Sequence, residues 1–229
     1  MFTNTSIEEE AMKKDAEAVR WFGGEEVLEQ LDVDTERFRQ QVRFLIEADK
    51  LKKVMRQTYL TDTSRRENSA EHSWHIALSA MIFAEYARDR GLDLGRVIRM
   101  LLVHDLIEID AGDTYCYDPA AKEDKSQRER TAADRIFNLL PADQAAEWRA
   151  LWEEFEARRT PESRFANALD RFQPFLHNYV TAGKSWQEHR IRKEQVFGRM
   201  QPVHQGSELL WDYVVRLMDD AVARNYLNS

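Results

Sequence analysis

The chain has 229 residues, of which 43% are hydrophobic and 32% charged, and its formal net charge is −8. This length allows one sizeable core, and the acidic balance argues against a basic surface for nucleic acid or for an anionic membrane. Its single cysteine, Cys116, excludes an internal disulfide framework. The N-terminus lacks a signal-peptide pattern, and no window has the apolar length of a membrane span. These features predict a cytoplasmic protein.

Apolar residues recur at helical spacing along most of the chain, and strand-like alternation is nearly absent, which predicts an all-α fold. The only glycine pair, in the stretch WFGGEE, is expected to separate an N-terminal helical extension, residues 1–33, from the rest of the chain, residues 34–229. In chain order, helices are predicted at about residues 6–22, 35–49, 69–90, 94–108, 123–139, 142–158, 161–182, 187–199 and 205–226.

Local signals mark where three of these helices begin. Ser69 can cap the helix that follows it, and Gly91 suits the position just after the end of that helix. Asp93 is predicted to cap the next helix. Thr160 and Pro161 combine a cap residue with a proline at the first helical position.

The stretch MLLVHDLIEIDAGDTY, residues 100–115, begins as a buried helix and then carries several ionisable residues. Buried carboxylates and imidazoles are costly unless they are paired or bound to a metal. His104, Asp105 and Glu108 are spaced so that they project from neighbouring parts of one helix surface. Gly112 then allows a turn that brings Asp113 back toward the same cavity.

Two further ionisable residues lie on other predicted helices, His72 in AEHS and Asp170 in ALDRFQP. With the adjacent pair His104 and Asp105 they give two imidazoles and two carboxylates. This mixed set of nitrogen and oxygen ligands suits one divalent ion of Mn, Fe, Co, Ni or Zn, with positions left open for water. The sequence therefore predicts a metal site assembled from three helices.

The segments AEHS, HDLIEIDAGD and ALDRFQP, in this order, resemble the HD superfamily of metal-dependent phosphohydrolases. The glutamate three residues after the His-Asp pair, and the Gly-Asp that follows, are similar to the branch that contains the 5′-deoxynucleotidases. The similarity runs from about Leu51 to Tyr179. It implies an HD-domain helical bundle with a core at about 51–182, additional N- and C-terminal helices, a small nucleotide as substrate and a homodimer.

The same resemblance implies a role for each matching residue. Glu108 would position or deprotonate the attacking water, and Asp113 would contact the sugar hydroxyl. The residues that correspond to the metal ligands of the family are His72, His104, Asp105 and Asp170.

Arg56 matches an arginine that helps to bind the nucleotide in this branch. Members of the branch often carry a tryptophan close after it, which helps to exclude ribonucleotides, whereas this chain has Gln57. Gln57 is smaller than a tryptophan and can hydrogen-bond an extra hydroxyl, so discrimination against ribonucleotides is expected to be weak. Tyr59 is the nearest aromatic residue and is an alternative wall for the sugar.

Other functions stay open at this point. One is an HD-fold phosphohydrolase acting on another small phosphate ester, and another is a metal-binding regulator without catalysis. A di-iron oxygenase of the same fold is disfavoured because residues 106–169 contain no histidine for a second iron. His75 and His177 are interpreted as packing residues or as neighbours of the ligands.

Overall fold

The computed structural model describes residues 36–117 and 124–229. The predicted N-terminal extension and its helix at 6–22 therefore lie outside the described residues. Two short 3₁₀ helices, Asp49–Lys53 and Ala84–Tyr86, accompany the α-helices. The prediction of an all-α fold is confirmed, with helices α1 (Glu36–Ala48), α2 (Ser69–Phe83), α3 (Leu94–Val103), α4 (Glu108–Ala111), α5 (Lys125–Phe137), α6 (Ala142–Ala157), α7 (Pro161–Val180), α8 (Lys184–Glu188), α9 (Lys193–Met200), α10 (Val203–Gly206) and α11 (Glu208–Ala223).

A small antiparallel hairpin, which the sequence pattern did not predict, precedes α2. Its strands are β1 (Met55–Tyr59) and β2 (Arg66–Asn68), and their pairing is irregular between the two ends. The strands are short and β1 lacks a clean alternation of buried and exposed residues, so it carries no recognisable period of two. The hairpin places Arg56 and Glu67 beside the first turn of α2.

The cap of α2 differs from the prediction. Asn68, not Ser69, is the N-cap: its side chain accepts a hydrogen bond from the Glu71 backbone N–H at 2.9 Å, and the Glu71 carboxylate accepts one from the Asn68 N–H at 3.0 Å. This reciprocal pair satisfies two N–H groups at the helix start. The Ser69 hydroxyl is left to bond elsewhere. The predicted caps of α3 and α7, Asp93 and Thr160, are confirmed.

Four predicted helices end early or divide, because tertiary contacts override the periodic pattern; one of them, predicted at 94–108, ends at Val103. Helix α2 ends at Phe83 and is followed by the 3₁₀ helix Ala84–Tyr86, whose last carbonyl, that of Tyr86, accepts a hydrogen bond from the Ser207 hydroxyl at 2.7 Å. Gly91 therefore does not follow a helix end. The predicted helix at 187–199 is divided by Arg190, whose backbone is left-handed, and the one at 205–226 by the extended Ser207.

Two clusters of buried apolar side chains form the core. One joins α2, α3, α7 and the C-terminal helices, and the other joins α1, α5 and α6. Helix α3 contributes Leu101 to the first cluster and Val103 to the second. The residues that follow α3 therefore lie where the two clusters meet, and this boundary is the place of the predicted site.

Candidate metal centre and active site

Three helices bring two histidines and an aspartate together. His72 is in the first turn of α2, His104 directly follows α3, and Asp170 lies in the middle of α7. All three are buried, and one ligand atom from each lies within 4.8 Å of the others. Among the described residues, no other group of three or more His, Cys, Asp or Glu side chains meets this geometry.

Both histidines are held so that the same ring atom faces the cluster. The Nδ1 atom of His72 lies 2.9 Å from Gln173 Oε1, and the Nδ1 atom of His104 lies 2.8 Å from the Leu101 carbonyl oxygen. Since both partners are acceptors, Nδ1 carries the proton and donates in each ring. When the ring is neutral, each Nε2 atom is then left with a lone pair, as in histidines that bind a metal.

These lone pairs point at carboxylate oxygens. Asp170 Oδ1 lies 3.1 Å from His72 Nε2 and 3.7 Å from His104 Nε2. The buried Nε2 of His104 has no hydrogen-bond partner of good geometry among the described residues. Acceptors that face one another in a buried place need a proton or a cation between them. The donor set therefore fits a divalent transition metal.

Asp105 lies beside this group. The prediction that Asp105 belongs to one continuous helix over residues 94–108 is wrong. Successive residues of an α-helix do not face each other. Because α3 ends at Val103, Asp105 can turn back, and its Oδ1 lies 3.0 Å from His104 Nε2. Burial would raise the pKa of Asp105, but His104 and Arg56 lower it to about 2. Asp105 is thus a carboxylate anion at the edge of the cluster.

Glu108 begins the one-turn helix α4, and its Oε2 accepts a hydrogen bond from the Ser69 hydroxyl at 2.7 Å. Burial and then the charge of Asp105 raise the pKa of Glu108 well above its usual value, although Arg56 and Ser69 oppose the shift. A carboxylate with a raised pKa can accept a proton close to neutral pH. Its placement next to the cluster suits general-base chemistry.

Arg56 is enclosed by acidic side chains. Its Nη1 atom donates to Asp105 Oδ2 at 2.9 Å and lies 3.9 Å from Glu108 Oε2, while its Nε atom lies 3.8 Å from Glu67 Oε1. Although burial opposes it, the charges of Asp105, Asp113 and Glu108 raise the pKa of Arg56 above its usual value. In this structure Arg56 balances carboxylate charge, and its predicted contact with a phosphate stays a prediction.

A pocket opens over the cluster and contains the remaining predicted site residues. Gln57 and Asp113 line it, together with Arg56, His104, Asp105, Glu108 and Asp170. Gly112, with a positive φ of 72°, makes the turn that places Asp113 there. Gln57 Oε1 lies 3.3 Å from His189 Nε2, and the His189 ring packs on Tyr115 at 4.5 Å.

Tyr59, the alternative wall proposed from the sequence, does not line this pocket. Its hydroxyl donates to Glu188 Oε1 at 2.9 Å, and Lys184 lies over its ring at 3.9 Å. Tyr115 does line the pocket, and its ring packs on His189, the residue that Gln57 approaches.

Buried residues that were not predicted from the sequence support the predicted ligands. Gln173 connects His72 to Glu67, since its Nε2 donates to Glu67 Oε2 at 3.0 Å. Gln173 lies three residues after Asp170, so helical spacing was a usable signal. Glu67 is 1% exposed, and no pattern in its short strand marked it as buried. His75 and His177 both approach Gln173 Nε2, within 3.3 Å, as neighbours of the ligands.

The helical bundle, with its buried cluster of two histidines and aspartates, defines an HD-type fold with a candidate metal site. The family described as HD domain matches residues 48–211, and the chain belongs to this family.

Curated relatives and a solved structure support the assignment. The chain is 35% identical over 136 residues to the mouse protein named 5′-deoxynucleotidase HDDC2, and 34% identical over 139 residues to the human protein of that name. These matches cover 59% and 60% of this chain and 66% of each relative, slightly less than two thirds.

A crystal structure from Magnetospirillum magnetotacticum MS-1, described as a predicted metal-dependent phosphohydrolase, is 53% identical, with a TM-score of 0.81, and the match covers 84% of this chain and 96% of that one. No helix among the described residues is both long and apolar enough to cross a membrane.

Proposed function

We propose that this chain is a phosphohydrolase that requires a divalent metal and removes the 5′-phosphate from nucleoside monophosphates, with deoxyribose or ribose as the sugar. The observation that carries the proposal is the pair of buried histidines whose Nε2 lone pairs converge on Asp170. The names of the mouse and human relatives point to the substrate, and the description of the bacterial structure points to the metal.

The metal would be held by His72, His104, Asp105 and Asp170. When bound, a divalent ion lowers the pKa of a coordinated water and polarises a phosphate oxygen. Glu108 would accept the proton of the attacking water, and its bond from Ser69 fixes the direction of the carboxylate.

The substrate-binding roles are part of the same proposal. Arg56 would contact the phosphate from the β1 side, Asp113 would accept a hydrogen bond from the sugar hydroxyl, and Gln57 would face the 2′ position. All three line the pocket above the candidate ligands. Attack of water on phosphorus then releases a nucleoside and inorganic phosphate, so no covalent phospho-enzyme is required.

The predicted domain, assembly and location belong to the proposal as well. We expect residues 34–229 to form one HD domain that works as a homodimer in the cytoplasm. The outward side of α2 presents Trp74, Leu78, Met81 and Ile82 to solvent, which is an apolar surface suited to a second copy. Light scattering of the purified protein measures the assembly.

The test is phosphate release from a panel of deoxy and ribo monophosphates, each assayed with Mg²⁺, Mn²⁺, Co²⁺ and Zn²⁺. We expect hydrolysis that a chelator abolishes and that a transition metal restores. Substitution of both His104 and Asp105 by alanine should remove bound metal and activity together. Full metal content in this double variant, by elemental analysis, would refute the site.

A further inference from the structure

A second arginine, Arg199, approaches the candidate cluster at Asp170, as Arg56 does at Asp105. Each aspartate turns one oxygen toward the histidines and the other toward an arginine: Asp105 Oδ2 lies 2.9 Å from Arg56 Nη1, and Asp170 Oδ2 lies 3.8 Å from Arg199 Nη2. Arg56 comes from β1 and Arg199 from α9, so the two guanidinium groups flank the cluster from different elements. Both line the same pocket.

The two arginines differ in how fully their donors are used. Arg56 is 12% exposed and has three carboxylates within 4 Å, so protein groups already balance its charge. The side chain of Arg199 is 33% exposed, and the 3.8 Å contact with Asp170 is too long for a hydrogen bond. Within residues 36–117 and 124–229, the Arg199 guanidinium makes no hydrogen bond, and its five donors are available to a ligand.

A third guanidinium stands behind Arg199. Arg171 is 5% exposed, its Nη1 donates to the Arg199 carbonyl oxygen at 3.3 Å, and its Nε atom has no hydrogen-bond partner in the part of the chain that the structure describes. No carboxylate of the described residues lies within 4 Å of it, although it lines the same pocket. A buried cation without a counter-ion is costly. An anion in the pocket would remove this cost.

We propose that Arg199 and Arg171 form an anion subsite that binds the phosphate group of the substrate from the side opposite Arg56. This inference rests on the proposed function, because it assigns the phosphate of a nucleoside monophosphate to the α7–α9 wall of that site. A guanidinium can donate two parallel hydrogen bonds to phosphate oxygens. Asp170 separates the subsite from the histidines by only one carboxylate group, so a bound phosphate would lie next to the metal.

The subsite is tested by binding, without turnover. Metal-loaded protein is titrated calorimetrically with inorganic phosphate, and separately with deoxyadenosine, which carries no charge. Arg199→Gln should weaken phosphate binding about 10- to 100-fold and leave deoxyadenosine binding and metal content unchanged, since only charge-assisted bonds are lost. Arg216→Gln, an exposed position on α11, is the matched control and should bind both ligands as the unmodified protein does.

Arg171→Gln should weaken phosphate binding similarly, and Arg199→Gln decides the question alone if the buried substitution prevents folding. The subsite is overturned if Arg199→Gln binds phosphate normally, loses its metal, or weakens deoxyadenosine to the same extent. Loss of phosphate binding in Arg199→Gln, in a protein that hydrolyses no nucleoside monophosphate, would support the subsite and refute the proposed function. If the protein hydrolyses nucleoside monophosphates and both variants bind phosphate normally, the proposed function is supported and the subsite is refuted.

Discussion

Gln173→Leu is the sharpest test of how the candidate metal centre is held together. Gln173 is 2% exposed and bonds both His72 Nδ1 and Glu67 Oε2. Leucine has a similar size but neither polar group, so two buried partners lose their hydrogen bonds. Glu67 is affected most, because its other oxygen, Oε1, already lacks a hydrogen-bond partner among the described residues. Each unpaired group costs about 1–3 kcal/mol, so the free energy of unfolding should fall by about 2–6 kcal/mol.

The same change should weaken metal binding. Without its partner on Nδ1, the His72 ring no longer has a fixed tautomer. The proton can then sit on Nε2, and a protonated Nε2 cannot bind the ion. Loss of such a partner typically costs about 10- to 100-fold in metal affinity. Affinity is measured by competition with a chromophoric chelator, and stability by urea unfolding with the chelator in excess.

Gln187→Leu is the control, because this exposed glutamine on α8 donates to the carbonyl of Ala182, in the turn before α8, and does not line the pocket. It should change neither metal affinity nor, by more than about 0.5 kcal/mol, the free energy of unfolding. A folded Gln173→Leu protein that binds metal within twofold of the unmodified chain would refute the reasoning about His72.

Three further changes test the chemistry. Glu108→Ala should keep the metal and lose about 10²- to 10⁴-fold in kcat; loss of the metal instead would make Glu108 a ligand. Ser69→Ala removes a bond that lowers the pKa of Glu108, so the acidic limb of the kcat profile should move to higher pH, and an unmoved limb would contradict the base assignment. Gln57→Trp should raise the ratio of kcat/KM for dAMP over AMP; a strong dAMP preference already in the unmodified protein would point to Tyr115.

The sequence was sufficient to predict the helical class and the residues that meet at the site. Helical spacing and the cap residues Asp93 and Thr160 act locally, so they can be recognised without a structure. The motif residues His72, His104 and Asp170 stand out because ionisable side chains interrupt apolar helices. A pattern of this kind is a local feature with a known physical cost.

The rest depends on contacts between distant segments. The end of α3 at Val103, which lets Asp105 turn toward His104, has no proline or glycine to announce it. Arg199 is far from every motif residue in sequence and approaches Asp170 only because α9 packs near α7. The Asn68 cap was not predicted because Asn68 and Ser69 are both suitable N-cap residues. In the structure the Ser69 hydroxyl donates to Glu108 instead of capping the helix.

The positions of the candidate ligands also constrain the order of folding. His72 and Asp170 are separated by 98 residues, so closing the loop between them is entropically costly. Loop closure must therefore precede tight binding of a metal ion by both residues. Metal loading would therefore follow the docking of α7 and lock it, adding about 2.7 kcal/mol at a free ion concentration one hundred times Kd. In a metal-poor cell, newly made chain would have a smaller free energy of unfolding. Helix α7 would then detach from the bundle more often, and proteases would cleave the chain sooner.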